Sequence, residues 1–359
     1  MAVYLDYAAT APVDGRVKEA MLECMRESFT NPSAAYSAAG AARRVQRLSR
    51  QTVGQMLGCD PSEVFFTSGG TEGNNWAALL CRGRHAVVST IEHASVLESV
   101  KAAASQVTYV EPDENGVIHP QAVERAMRPD TALVSVQWAN NETGVLQPVK
   151  EIAAIAHRHG AFFHTDAVQA FGHVSVDVRG IDLLTLSAHK FYGPRGAGCL
   201  YVRTGTPIPP LMHGGGQESG MRAGTENTPA ICGLGKAAEL AYEDMTQRAE
   251  REAQLLALFL QELDGCDIRV LGASAPRLPN MLALLTPGHE SEALIAKLDL
   301  AGIQVSGGAA CATGQTSHVY RAMGLSERDA KCVLRISVGR GTSQQDIITA
   351  ANALKGLLR

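Results

Sequence analysis

Short apolar runs alternate with longer amphipathic stretches through the first two thirds of the chain. Runs of largely apolar residues bounded by turn residues predict strands at residues 63–67, 85–90, 107–111, 132–137, 183–186 and 199–202, with a further strand end within 162–169. Apolar positions recurring every three or four residues predict helices at 14–27, 34–57, 94–104, 120–127 and 149–159, and one that follows the turn at 68–72 and runs through Leu80. Gly58 and Gly160 close two of these helices. Such alternation builds an α/β fold, a mostly parallel sheet with helices on both faces and ligands at the carboxyl ends of the strands. The pattern changes at residues 239–263, a long helical stretch rich in Glu, Gln, Arg and Leu. Beyond it, strands at 268–271, 281–285 and 333–338 mix with helices at 290–301 and from a capping box at Thr342 and Gln345 to Leu358. This predicts a large domain over 13–250 and a smaller α+β domain over 251–359, which residues 1–12 join.

Composition narrows the classes. With 359 residues the chain is long enough for two cores, and a net charge of -4 gives no sign of a dominant nucleic-acid surface. The apolar runs fall far short of a membrane span, and the first residues lack a basic region followed by an apolar one. A cytoplasmic protein without direct nucleic-acid or membrane partners is expected. The eight cysteines are scattered with no C-x-x-C pair, so most are expected to be small buried hydrophobes. Glu92-His93 and His157-Arg158-His159 lack the spacing of a zinc site, and no metal is expected.

Candidate chemistry centres on residues 182–202, DLLTLSAHKFYGPRGAGCLYV. Two apolar runs there flank Ser187-Ala188-His189-Lys190 and a turn rich in Gly and Pro, which predicts neighbouring buried strands with Lys190 at a strand end. A strand-end lysine is ordinarily a solvated side chain. The upstream strand end, however, carries the carboxylate of Asp166 in the matching place. An amine and a carboxylate at strand ends of an α/β sheet meet the needs of a pyridoxal phosphate enzyme: the amine binds the aldehyde and the carboxylate keeps the ring nitrogen protonated.

Other segments add to this or read as turns. Thr67-Ser68-Gly69-Gly70-Thr71-Glu72 joins a strand to a helix and could cradle a phosphate, although any such turn can carry Gly and Thr. It lacks the Gly-Lys-Ser/Thr ending of a P-loop. His93, at another strand end, could stack on a flat ring and move protons, or simply pack or cap a helix. Asn140-Asn141-Glu142-Thr143-Gly144 offers amides to a carboxylate or forms a turn. The glycine run after His213, continuing through Arg222-Ala223-Gly224-Thr225, is a structural turn or a functional loop. Cys311 sits among small residues, 306–315, without the bulky neighbours of a structural cysteine, which predicts a reactive thiol on an exposed, flexible loop. Arg335 in the strand at 333–338 needs a partner, and a substrate carboxylate gripped in two places would supply one.

Together these motifs resemble the cysteine desulfurases of the class V branch of pyridoxal phosphate-dependent aminotransferases. The likeness runs from Tyr4-Leu5-Asp6-Tyr7-Ala8-Ala9-Thr10 through Asn31-Pro32-Ser33, Ser68-Gly69-Gly70-Thr71-Glu72, Asn140-Asn141-Glu142 and Ser187-Ala188-His189-Lys190 to Arg335-Ile336-Ser337-Val338-Gly339-Arg340. It implies the fold type I transferase architecture, a large domain with a mostly parallel seven-stranded sheet and a smaller α+β domain. It implies pyridoxal 5'-phosphate as cofactor, with Lys190 as the Schiff-base lysine, Asp166 on the pyridine nitrogen and Gln169 on the ring oxygen. His93 would stack on the ring and shuttle protons. Gly70, Thr71, Ser187 and His189 would bind the phosphate, joined by Thr225 from the second subunit of a homodimer. Asn141 and Arg335 would hold the substrate carboxylate, and Cys311 would be the nucleophile. The implied reaction converts L-cysteine to L-alanine and leaves the sulfur as a persulfide on Cys311. From there it would pass to an acceptor protein for iron–sulfur cluster, tRNA or other cofactor synthesis. A selenocysteine lyase or another class V aminotransferase is the alternative on the same scaffold. Tyr36 and Ser219 depart from the family pattern, where histidine and arginine are usual.

Overall fold

The computed structural model describes residues 2–307 and 316–359. β1 (Val3–Tyr4) leads to α1 (Gly15–Glu27) and α2 (Ala39–Leu57). The alternating part follows as β2 (Val64–Thr67), α3 (Gly70–Ala78), β3 (His85–Ser89), α4 (Ala94–Ala103), β4 (Gln106–Val110), α5 (Pro120–Ala126) and β5 (Thr131–Ser135). It continues with α6 (Val149–Arg158), β6 (Phe162–Asp166), β7 (Leu183–Ser187) and β8 (Gly198–Val202). Two helices, α7 (Thr228–Glu243) and α8 (Met245–Glu262), connect to β9 (Arg269–Val270), β10 (Met281–Leu285), α9 (Ser291–Leu300) and β11 (Ile303–Gln304). The chain closes with α10 (His318–Ala322), α11 (Glu327–Ala330), β12 (Val333–Ser337) and α12 (Gln344–Leu357).

The main sheet has seven strands in the order β2-β8-β7-β6-β5-β3-β4. β7, β6, β5, β3 and β4 are parallel, and β8 runs antiparallel between β7 and β2. The carboxyl ends of β2, β3, β5, β6 and β7 therefore point to one edge. Every residue of β3, β5, β7 and β8 is buried, because helices cover both faces. That is why these strands read as continuous apolar runs instead of alternating ones.

Three sequence expectations are corrected. α2 starts at Ala39 and not at 34, since Arg43 Nη1 donates to the carbonyls of Pro32 (2.9 Å) and Ala34 (2.8 Å) and keeps that turn outside the helix. The helical stretch at 239–263 is two helices broken at Asp244, whose carboxylate pairs with Arg248 and, at 3.0 Å, Arg340. The first half of α7 was hidden by Gly233 and Gly235. Both are needed for close packing: a Cβ would lie 2.7 Å from Met21 Sδ at 233 and 2.6 Å from Ser49 Oγ at 235. The capping box of α12 is Ser343 with Asp346, one residue later than expected, while Thr342 Oγ1 accepts from the Gly339 N–H at 3.0 Å.

The C-terminal strands serve two cores. β12, β10 and β9 form an antiparallel sheet, and β1 returns to pair in parallel with β11. Leu282 and Leu284 of β10 and Leu334 and Ile336 of β12 pack with Leu5, Phe259 and Leu354 in one core. Met281, Ala283, Leu285 and Val333 belong to the core of the main sheet. The strand period of two thus directs Arg335 to the main-sheet side. Among the described residues no helix is long and apolar enough to cross a membrane.

Candidate active site

A cavity of about 700 Å³ opens at the shared carboxyl edge of the main sheet. It is lined by residues at or just past five strand ends, among them Gly70, His93, Asn141, Asp166 and Lys190. Asp166 ends β6 and stands in register with Thr185 of β7. Lys190 follows β7 on a single 3₁₀ turn, Ala188–Lys190. The ends of adjacent parallel strands thus bring the carboxylate and the amine to the same cavity. Lys190 Nζ donates to the carbonyls of Ala8 (2.6 Å) and Ala9 (2.9 Å), so the N-terminal segment forms one wall of the site. Burial pushes the His173 imidazole down to about 4, and its neutral Nε2–H donates to the Lys190 carbonyl at 3.2 Å.

Asp166 is 8% exposed. Its Oδ1 accepts from the Val168 N–H at 2.9 Å and its Oδ2 from Asn74 Nδ2 at 2.7 Å. Asn74 also donates to Ser95 Oγ at 2.8 Å, and Ser95 Oγ lies 2.7 Å from His93 Nδ1. The Ser95 N–H donates to the same ring nitrogen at 3.1 Å, so His93 is the N-cap of α4. It therefore caps a helix and lines the cavity at once. Because a backbone N–H can only donate, Nδ1 is an acceptor and the neutral ring carries its proton on Nε2. Burial lowers the basicity of His93, with the Asp166 charge opposing and Lys190 and His318 adding to the decrease.

Gly70, Thr71, Ser187 and His189 line another part of the cavity, where α3 begins. A Cβ at Gly70 would lie 3.0 Å from Val168 Cγ2, a tight contact that favours glycine at the helix start. Burial, helped by Lys190 and Arg195, pushes His189 down to about 4 and leaves it neutral. Glu72, in the first turn of α3, accepts from the Ser68 N–H at 2.9 Å and pairs with Arg222 at 2.8 Å. That pair ties the glycine-rich segment at 213–227 to the helix start. Gln169 is 6% exposed, and its Nε2 donates to the Ala8 carbonyl at 2.9 Å.

Arg335 is 2% exposed. Part of the partnership its strand position demanded comes from the protein itself. Nη2 meets Asp6 Oδ1 at 2.8 Å, and Nη1 donates to the Asn141 carbonyl at 2.8 Å. Arg335 and Asn141 both line the cavity. Thr225 does not; it is exposed on its own chain. Cys311 lies outside the described residues. Asn74, Ser95 and His318 were not anticipated. Asn74 stands one helical turn after Gly70 on α3, a spacing that could have marked it; Ser95 and His318 had no such signal.

Behind His93, Glu92 is fully buried. Its Oε1 accepts from Ser89 Oγ and, at 2.8 Å, from the Gln137 N–H, while Oε2 has no hydrogen-bond partner among the described residues. Burial pushes this carboxyl from 4.5 up to about 8. The fold favours the protonated form, so the stabilising contribution is complete below pH 4.5 and is lost as pH rises through 8. Glu92→Gln, which keeps the shape without a titrating proton, is expected to match the parent in urea unfolding at pH 5. At pH 8.5 the variant should be more stable, by on the order of 2–4 kcal/mol. Equal differences at both pH values would contradict the buried acid.

An amine, a buried carboxylate, an imidazole and a helix N-terminus around one cavity suit a flat anionic ring. The fold and site define an α/β transferase, and the chain belongs to the class-V aminotransferase family, whose model matches residues 3–349. Within that family it is similar to cysteine desulfurases. It is 40% identical over 371 residues to the cysteine desulfurase IscS of Dictyoglomus turgidum, spanning 99% of this chain and 94% of the relative. A solved NifS-like protein superposes with a TM-score of 0.92 at 35% identity, over 100% of this chain and 99% of that one. The structure of SspA in complex with cysteine matches with a TM-score of 0.84 at 36% identity, over 94% and 98% of the two chains.

Proposed function

We propose that the protein is a cysteine desulfurase that holds pyridoxal 5'-phosphate in this cavity and converts L-cysteine to L-alanine. The observation that carries the reading is that the Lys190 amine and the buried Asp166 carboxylate line one cavity at the ends of adjacent strands. Full-length similarity to cysteine desulfurases supports it. Bound there, the cofactor supplies an electron sink for the substrate α-carbon. Lys190 would hold its aldehyde carbon, Asp166 its ring nitrogen and Gln169 its ring oxygen. Gly70, Thr71, Ser187 and His189 would hold the phosphate, with Thr225 from the second subunit of a homodimer.

The chain's own groups then divide the work. Asn74 fixes the Asp166 carboxylate, so its charge is preorganised and needs no rearrangement during reaction. His93 would face the ring and offer a hydrogen bond from its Nε2–H. Arg335 and Asn141 would hold the substrate carboxylate. The Cys311 thiolate would attack the substrate sulfur; the S–S bond forms, the C–S bond breaks, and the persulfide stays on Cys311 as alanine leaves. Three of the other cysteines are poor alternatives. Burial pushes the thiols of Cys24 and Cys59 up to about 12 and Cys81 up to about 11, which keeps them protonated and inert.

Residues 13–250 would form the cofactor-binding domain and residues 1–12 with 251–359 the smaller one. The persulfide sulfur would pass to an acceptor protein in the cytoplasm, for iron–sulfur, tRNA or other cofactor synthesis. The test is the purified protein with pyridoxal 5'-phosphate, L-cysteine and a reductant. Equimolar alanine and sulfide are expected; a cofactor-loaded protein that releases neither overturns the reading.

A further inference from the structure

His318 opens α10 and lines the same cavity as His93 and Lys190. Its Nε2 lies 3.0 Å from the Glu92 carbonyl, which can only accept. The ring therefore donates from Nε2, and its neutral form holds a lone pair on Nδ1, an atom with no hydrogen bond among the described residues. The backbone beneath it is pinned: Ser317 Oγ donates to the buried Glu142 Oε2 at 2.6 Å and accepts from the Tyr320 N–H at 3.3 Å. His318 is exposed toward solvent, whereas His93 is partly buried.

The two imidazoles are thus set up for opposite tasks. Neutral His93 has its Nδ1 occupied by Ser95 and its proton on Nε2, so it can donate a hydrogen bond but has no free lone pair to accept a proton. An amino-acid substrate arrives as an ammonium and must shed a proton before its nitrogen can act as a nucleophile. We propose that His318 is the general base of the site, taking that proton on Nδ1. The proposal rests on the amino-acid-substrate reading of the cavity. The ammonium N–H bond breaks, its electron pair stays on nitrogen, the proton bonds to Nδ1, and the exposed imidazolium returns it to water. The charged and titratable groups around His318 are His93, Glu142, Arg335 and Glu98 of α4, with Glu92 behind it.

Two variants separate base from scaffold. His318→Gln keeps an N–H for the Glu92 carbonyl but has no basic nitrogen; His318→Ala has neither. The cofactor-loaded proteins are mixed in stopped flow with L-alanine, which has the ammonium but no thiol, and the change in cofactor absorbance is timed across pH. His318→Gln is expected to slow it by on the order of 100-fold and to flatten the acid limb. Added imidazole should restore part of the His318→Ala rate. Independently of any reaction, ¹⁵N-histidine spectra of the cofactor-free protein should contain a signal, absent in His318→Gln, with a protonated Nε2 and a bare Nδ1. A His318→Gln protein that reacts at the parent rate, or a His318 signal protonated on Nδ1, overturns the proposal. A parent protein that responds to L-alanine but yields no sulfide from L-cysteine overturns the desulfurase reading alone.

Discussion

Lys190→Ala is expected to lower alanine formation from L-cysteine by at least about 10⁴-fold. Among the described residues that line the cavity, Lys190 is the single lysine. Arg335, the nearest substitute in charge, cannot give up a proton to act as a nucleophile. The fold should survive the change. The carbonyls of Ala8 and Ala9 that receive Nζ lie at a cavity wall where water can replace it, so unfolding free energy should move by no more than about 1 kcal/mol. Borohydride reduction of the parent protein followed by peptide mapping should attach a pyridoxyl group at Lys190. The variant should show no such peptide, with an unchanged circular dichroism spectrum. Turnover within tenfold of the parent would remove Lys190 from the chemistry.

Asp166→Ala is expected to reduce turnover by about 10³-fold, which corresponds to roughly 4 kcal/mol. Two losses combine. The negative charge beside the ring-nitrogen position disappears, in a place too buried for water to replace it well. Asn74 Nδ2 and the Val168 N–H also lose their acceptor, a cost of about 1–3 kcal/mol in stability. Asp166→Asn distinguishes them, because it keeps the shape and one carbonyl acceptor but not the charge. Its stability should lie nearer the parent, while its turnover should stay as low as that of the alanine variant. Full activity in Asp166→Asn would mean that shape, not charge, is what the site uses.

The architecture was largely legible because the central strands are buried on both faces. Such strands must be apolar throughout, and their runs stand out; each of the six ranged strand expectations for the main sheet falls within two residues of an observed strand. Legibility failed where tertiary packing overrode local preference. Gly233 and Gly235 disguise a helix because α1 and α2 press against it, and Arg43 holds back the start of α2 through two distant carbonyls. The same division holds in the site. Lys190, Asp166 and His93 stand at strand ends that periodicity can locate, so they were found together. Asn74 and His318 enter from helices whose position relative to the sheet only the folded chain determines. Arg335 was noticed as an arginine in an apolar strand, but its Asp6 partner comes from 329 residues away in sequence.

The most direct test of the account compares sulfide and alanine release from L-cysteine by the cofactor-loaded protein and by Cys311→Ala, both with a reductant present. The parent should release the two products in equal amounts, while the variant should keep its yellow colour and release neither. Sulfide and alanine undiminished in Cys311→Ala would contradict sulfur transfer through that thiol. Colour in both proteins with no sulfide from either would contradict the desulfurase assignment itself.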